Sequence, residues 1–182
     1  MGPEVRGLAT LAAGFVAPLE MLAACHGRIR DQCAALSRLR SHVAAHGIDD
    51  SARRAARGVI RYFDSAARDH QQDEEQDLFP ALLESMAGSD PVCIRELTDS
   101  LMNDHRDLTR LWRIVRAGLV AIEAGEALPP DAGEIDSFVD LYERHVTHEE
   151  QELFPMAARL LGTCELEQVG RSMRLRRRIT SF

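Results

Sequence analysis

The chain has 182 residues, 45% of them hydrophobic, which is enough to bury one globular core. Its formal net charge of −7 argues against nonspecific nucleic-acid binding as the main task, and no stretch is long and apolar enough to span a bilayer. Two Tyr, one Trp and few β-branched residues beside abundant Ala, Leu, Arg and Glu point to an all-α protein.

Turn signals divide the chain into four long helical runs. The first starts near Pro18 and stops at His46-Gly47, Pro suiting a first helical turn and Gly a C-terminal stop. Asp49-Asp50-Ser51 announces the second, which runs to about Ala87-Gly88. Ser89-Asp90-Pro91 opens the third, ending near Gly125, and Pro129-Pro130-Asp131 precedes the fourth, ending near Gly162. A shorter Arg-rich helix from about Cys164 to Arg178 follows. Short connections make sequential neighbours antiparallel, so the expected fold is an up-down-up-down four-helix bundle with a short C-terminal Arg-rich helix. The expected organisation is an N-terminal segment at 1–17, the bundle at 18–162 and the C-terminal helix and tail at 163–182.

The bundle contains an internal repeat. Residues 70–80 read HQQDEEQDLFP and residues 145–155 read HVTHEEQELFP, with seven of eleven positions identical at a constant offset of 75. A His and a Glu four residues apart lie on one helix face, one turn from each other. Steps of three and four trace an inward seam on each helix. The seams are Leu19, Leu22, His26, Ile29, Cys33 and Leu36; Ala56, Val59, Phe63, Ala67, His70 and Glu74; Ile94, Leu101, His105, Leu108, Trp112, Val115 and Leu119; and Ile135, Phe138, Tyr142, His145, Glu149 and Met156. Four His and two Glu thus occupy positions where a bundle expects aliphatic side chains, a costly placement unless they are ligated or paired. Counted from the turns at roughly 1.5 Å per residue, His26, His70, Glu74, His105, His145 and Glu149 fall at one level to within about one helical turn.

Four imidazoles and two carboxylates suit two ions held side by side, each Glu bridging the pair and each ion taking two His. Mixed N/O ligation with positions to spare points to iron or manganese over a closed zinc site. Each ion then keeps room for an oxo or hydroxo bridge and for a ligand from outside. The competing reading, a metal-free buried polar network, is expensive unless every member is satisfied.

These residues resemble the hemerythrin-like, or HHE cation-binding, family, bacterial type. Its pattern is a His on the first helix, HxxxE on the second, His on the third and HxxxE on the fourth; here His26, His70/Glu74, His105 and His145/Glu149. The resemblance covers roughly residues 18–160 and implies a four-helix bundle with a non-haem di-iron centre (Fe2+/Fe3+) that binds dioxygen, nitric oxide or a similar small ligand, or senses iron. Manganese and zinc are lesser alternatives. The oxygen carriers of marine invertebrates add a His one turn after the third-helix His, where this chain has Thr109, and an Asp five residues after the last His, where this chain has Glu149 at four. Thr109, one turn from His105, is expected to face the same interior.

The remaining polar residues have plainer readings. His42 and His46 sit in a last helical turn and suit the helix dipole. His148, Glu75 and Glu150, beside the ligands, read as supporting or solvated groups. Tyr142 neighbours the site, and Trp112, two turns from His105, is expected to floor it. Pro80 and Pro155 sit inside helical runs and should kink them. The tail Arg171, Arg174, Arg176, Arg177 and Arg178 reads as a solvated face of a helix that packs through Met173 and Leu175. Cys25, Cys33, Cys93 and Cys164 lack paired spacing and read as thiols of a reducing compartment. Leu8 to Ala17 lacks a convincing cleavage site, so the expected location is cytoplasmic.

The expected function is a di-iron protein that binds or senses a small diatomic or anionic ligand, without nucleic-acid or membrane partners and with any protein partner unidentified. The alternatives are a di-iron enzyme consuming peroxide or nitric oxide, or an iron-sensing interaction module. The Glu-x-x-His motif of ferritin-like oxidases does not occur in the chain, which favours binding over oxidation.

Overall fold

Gly47 and Asp49 show how local sequence sets the helix boundaries in this computed structural model, which describes residues 17–85, 91–126 and 132–177. Helix α1 (Ala17–His46) ends where Gly47 takes φ 76°, a left-handed conformation that Gly adopts without a Cβ penalty. The Asp49 side chain then accepts the Ala52 backbone N–H at 2.8 Å and caps α2 (Asp50–Asp64). The apolar stretch from Leu8, the signals Ser89-Asp90 and Pro129-Pro130-Asp131, and Arg178 lie outside the described residues.

The second run is not one continuous helix. Ser65 interrupts it, its hydroxyl bonding the Arg61 carbonyl at 2.6 Å while its N–H turns to the Tyr62 carbonyl. It resumes as α3 (Ala66–Asp73), passes through a π-helical turn (Glu74–Leu78) and ends as α4 (Phe79–Glu84). Helix α5 (Pro91–Ala124) forms the third run. The fourth repeats the second: α6 (Ala132–His148), a second π-helical turn (Glu149–Leu153) and α7 (Phe154–Leu160). Helix α8 (Thr163–Arg176) follows. No strand occurs among the described residues.

The π turns are how the chain absorbs Pro80 and Pro155. The N–H groups of Phe79 and Phe154 reach back five residues, to the Glu74 and Glu149 carbonyls. The wider turn makes room where a proline ring would strike the carbonyl four residues earlier. It also inserts one residue, which shifts the buried face. Leu153, Phe154 and Ala157 turn inward, and Met156, expected in the seam, is only half-buried.

Side-chain pairs fix the direction of each run. Arg30 meets Glu143 and Glu150 while Arg40, further along α1, meets the earlier Asp136, so the first and fourth runs are antiparallel. Arg57 with Glu123, Asp64 with Arg116 and Glu75 with His105 give the same relation for the second and third. His42 with Asp49 and Tyr62 with the Cys25 carbonyl give it for the first and second, and Trp112 with Phe138 and His105 with His145 for the third and fourth. The first run also packs on the fourth, which closes the bundle.

Two apolar clusters fill it. One gathers Ile29, Leu36, Val59, Phe63, Leu108, Val115 and Phe138; the other Leu22, Leu78, Phe79, Leu82, Leu101, Leu153 and Met173. Each fully buried Leu or Phe contributes about 1.5–3 kcal/mol. The layer between the clusters is polar, and it holds the repeat.

Candidate metal centre

All six residues singled out from the sequence meet in that layer, and none is more than 2% exposed. One Glu74 oxygen lies 3.2 Å from His70 Nε2 and the other 3.4 Å from His105 Nε2. Glu149 does the same from the opposite side, 3.2 Å from His145 Nε2 and 3.1 Å from His26 Nε2. The result is two overlapping donor sets, His26-His70-Glu74-Glu149 and Glu74-His105-His145-Glu149, whose donor atoms all lie within 4.8 Å of one another in each set. Donors roughly 2.1 Å from a common ion lie about 3.4 Å apart in a tetrahedron and about 4.2 Å apart when opposite, so small side-chain shifts would close each set on an ion. Each carboxylate gives one oxygen to each set.

The hydrogen bonding of this layer fits a metal. His26 Nε2, His70 Nε2 and both oxygens of Glu74 and of Glu149 are buried and find no hydrogen-bond partner. His105 Nε2 and His145 Nε2 face each other at 3.0 Å, which one shared proton or one shared cation would reconcile. Leaving so many buried polar atoms unpaired costs about 1–3 kcal/mol each. A pair of cations would satisfy them together.

A further ring of carboxylates orients the imidazoles. Glu75 lies 2.7 Å from His105 Nδ1 and Glu150 2.9 Å from His26 Nδ1. Hydrogen bonding to His105 holds Glu75 below the usual carboxylate range, and Arg30, with His26, does the same for Glu150. Both therefore accept, Nδ1 donates, and each Nε2 lone pair is turned toward the metal position. Asp104 stands 3.5 Å from His145 Nδ1. Arg30 grips Glu150 through two nitrogens at 2.9 and 3.0 Å. Phe79 stacks on His105 and Phe154 on His26. Each copy of the repeat thus supplies one pair of candidate ligands and also braces the lone His of another helix.

Electrostatics reflect four imidazoles around two acids. Burial would lower His145, but Glu149 and Asp104 lift it to about 10; Glu74 and Glu75 likewise lift His105 to about 9. His26 is also raised against burial, chiefly by Glu149. His70, fully buried among the other imidazoles, is pushed well below the ordinary value. Burial and the Glu149 charge raise Glu74 to about 7, whereas His145 and His26 hold Glu149 well below the usual range despite its burial. In the metal-free protein, protons stand in for cations.

The pattern of helices, ligands and repeat matches a protein-family model, the hemerythrin HHE cation binding domain, over residues 17–157. The chain belongs to this family. Among relatives, it is 31% identical over 162 residues to an uncharacterized protein of Haemophilus influenzae (strain ATCC 51907 / DSM 11121 / KW20 / Rd), with 89% of this chain and 91% of that protein covered. No helix among the described residues is long and apolar enough to cross a membrane.

The structure also places the other residues singled out around this hemerythrin domain, and it corrects the expectations for Thr109, Trp112 and the tail. Thr109 does not share the interior with His105: it is exposed and lines a cavity of about 420 Å³ between the second run and α5. Trp112 lines the same cavity, packs on Phe63 and Phe138, and donates to Asp64 at 3.0 Å, so its ring contacts are core aromatics and not ligands. Tyr142 is buried one turn before His145 and borders the cavity beside Leu108. His42 pairs with the cap residue Asp49 at 3.0 Å. His148 is a third exposed and meets Glu152 at 3.5 Å. In the tail Met173 is buried, but Leu175 is 71% exposed, and Arg176 and Arg177 are paired within the chain and not solvated. Asp104 was missed by sequence reasoning. Its place directly before His105 was the available signal.

Proposed function

We propose that the domain holds two iron ions between its helices and binds or senses dioxygen, nitric oxide or a similar small ligand. The observation that supports this most strongly is the sharing of Glu74 and Glu149, one oxygen each, between two sets that each hold two imidazoles. Four protein donors per position leave coordination sites over for an outside ligand. An iron pair held there would supply those sites and exchange electrons with what binds. The chain's own residues set the geometry: Glu75, Glu150 and Asp104 fix the imidazoles, and Phe79 and Phe154 back two of them with apolar rings. The apolar clusters on both sides keep bulk water from the layer. The cavity bounded by Leu108 and Tyr142, each one turn from a ligand, is the approach for a small molecule from solvent.

The test is anaerobic loading with ferrous iron, elemental analysis, and absorption spectra before and after exposure to air or nitric oxide. Two irons per chain and a reversible ligand-dependent band are expected. Two bound irons with no spectral response to either gas would overturn the ligand-binding reading, and steady turnover of peroxide or nitric oxide would replace it with an enzyme.

A further inference from the structure

Helix α8 lies beyond the residues matched by the family model, yet its end reaches the metal layer. Its buried face, Leu166, Val169, Gly170 and Met173, seats it against α1, α3 and the first π turn. From there Arg176 donates to Asp73 and to Gln76 Oε1 at 3.1 Å, and pairs with Asp77 at 2.8 Å. Arg177 lies 2.5 Å from the other Asp73 oxygen. Asp73 is fully buried, and among the described residues it is the one buried carboxylate outside the ligand set. The two guanidinium groups therefore grip the chain on both sides of Glu74, at residues 73, 76 and 77.

Among the described residues the second repeat has no such grip at the equivalent positions, and its π turn is held from α1, where Arg30 pairs with Glu150. Its equivalent positions are His148, Gln151 and Glu152; the last two are exposed, and His148 meets only its neighbour Glu152. A second asymmetry falls on the same side of the layer. Around the His105-His145 set Glu75 bonds His105 Nδ1 and Asp104 stands 3.5 Å from His145 Nδ1, which makes no hydrogen bond; around the His26-His70 set Glu150 bonds His26 Nδ1, and His70 Nδ1 is buried with no carboxylate beside it. Cys25 occupies before His26 the place that Asp104 holds before His105, and Arg28 donates to its sulfur at 2.9 Å.

We propose that α8 is a positioning element for the Glu74 side of the metal centre: Arg176 and Arg177, through Asp73, hold the π turn that presents Glu74, the carboxylate shared by both donor sets. The inference builds on the two-metal reading above. It makes the two halves of the centre unequal: the C-terminal helix holds the π turn of the first repeat, with the shared Glu74, and not that of the second, with Glu149.

The experiment compares full-length wild type, R176Q/R177Q, R176K/R177K and, as a control on an exposed residue of the same helix, R171Q. Ferrous iron is loaded anaerobically and its release to excess chelator is followed, and amide exchange is measured on the metal-free proteins. In R176Q/R177Q the bound iron is expected to leave about tenfold faster, the scale of losing an outer-sphere partner. Exchange is expected to rise in residues 74–78 and stay unchanged in 149–153. The Lys pair should recover most of both effects, and R171Q should match wild type. Asp73→Asn, which keeps the side-chain volume, gives the same readout should the double variant fold poorly. Unchanged release of both ions, or equal loosening of both π turns, would overturn the proposal. Should wild type take up no iron, the two-metal reading fails and the positioning role for iron falls with it, whereas metal uptake with symmetric exchange defeats the role of α8 alone.

Discussion

The two copies of the repeat, residues 70–80 and 145–155, are built alike where they meet the metal layer and differ in what packs against their other faces. In each, the His and the first Glu are candidate ligands, the second Glu braces a His on another helix, Leu is fully buried, Phe stacks on that same His, and Pro follows a π turn. Of the four positions that diverge, 73 and 148 contrast most in their surroundings, one a buried Asp under two arginines and the other a partly exposed His. The shared residues suit a bridged site, which would need two similar halves. The divergent ones belong to whatever packs on each half, and only the first half carries α8.

The strongest way to break the comparison is to remove one bridge at a time. Glu74→Ala and Glu149→Ala should each lower iron content well below two per chain, because both donor sets lose an oxygen. Each should also remove the stabilisation that bound metal provides, about 2.7 kcal/mol at a free concentration a hundred times Kd. Elemental analysis and thermal unfolding check this, and two ions retained in both variants would refute the bridging assignment.

The next effect concerns the metal-free state. His105 and His145 have folded pKa values raised to about 9 and about 10 from the ordinary 6.5. Their protonation therefore stabilises the metal-free fold fully below pH 6.5, and that contribution is lost as pH rises through about 9 and 10. Metal-free protein should lose thermal stability between pH 7 and 10, while loaded protein, whose imidazoles are already deprotonated by ligation, should not. Parallel pH profiles for the two forms would count against this.

A smaller effect separates bracing from ligation. Glu75→Gln and Glu150→Gln keep the shape but weaken the hold on His105 and His26, and each should reduce metal affinity by about tenfold without changing the number of ions bound. A competitive chelator titration measures it; a change in stoichiometry would mean that one of these Glu residues is itself a ligand.

The smallest effect is at the divergent position. His148→Asp makes the second repeat match the first, but no arginine faces it and the side chain is a third exposed. Stability should change by less than about 0.5 kcal/mol, and iron affinity should hold steady. A large change in either would show that residue 148 takes part in the centre.

The sequence by itself determined the helical runs, the repeat and all six candidate ligands. These follow from local rules: caps and Gly stops mark helix ends, and the steps of three and four place polar residues on a seam where only ligation or pairing makes them tolerable. Glu75 and Glu150 were visible as neighbours of the ligands, but their roles were not, because each points to a His on a different helix. The π turns were signalled only as a kink at Pro80 and Pro155; whether a helix bends or widens at a proline depends on what it must pack against, and that choice moved Leu153 inward and Met156 outward. Thr109 was misplaced because a one-turn step from His105 defines a stripe of the helix but not how far the neighbouring helices cover it. Asp104, Asp73 and the arginines of α8 were decided by tertiary structure alone. Their partners lie 41, 103 and 104 positions away, by subtraction of residue numbers, and no periodicity connects charges across such distances.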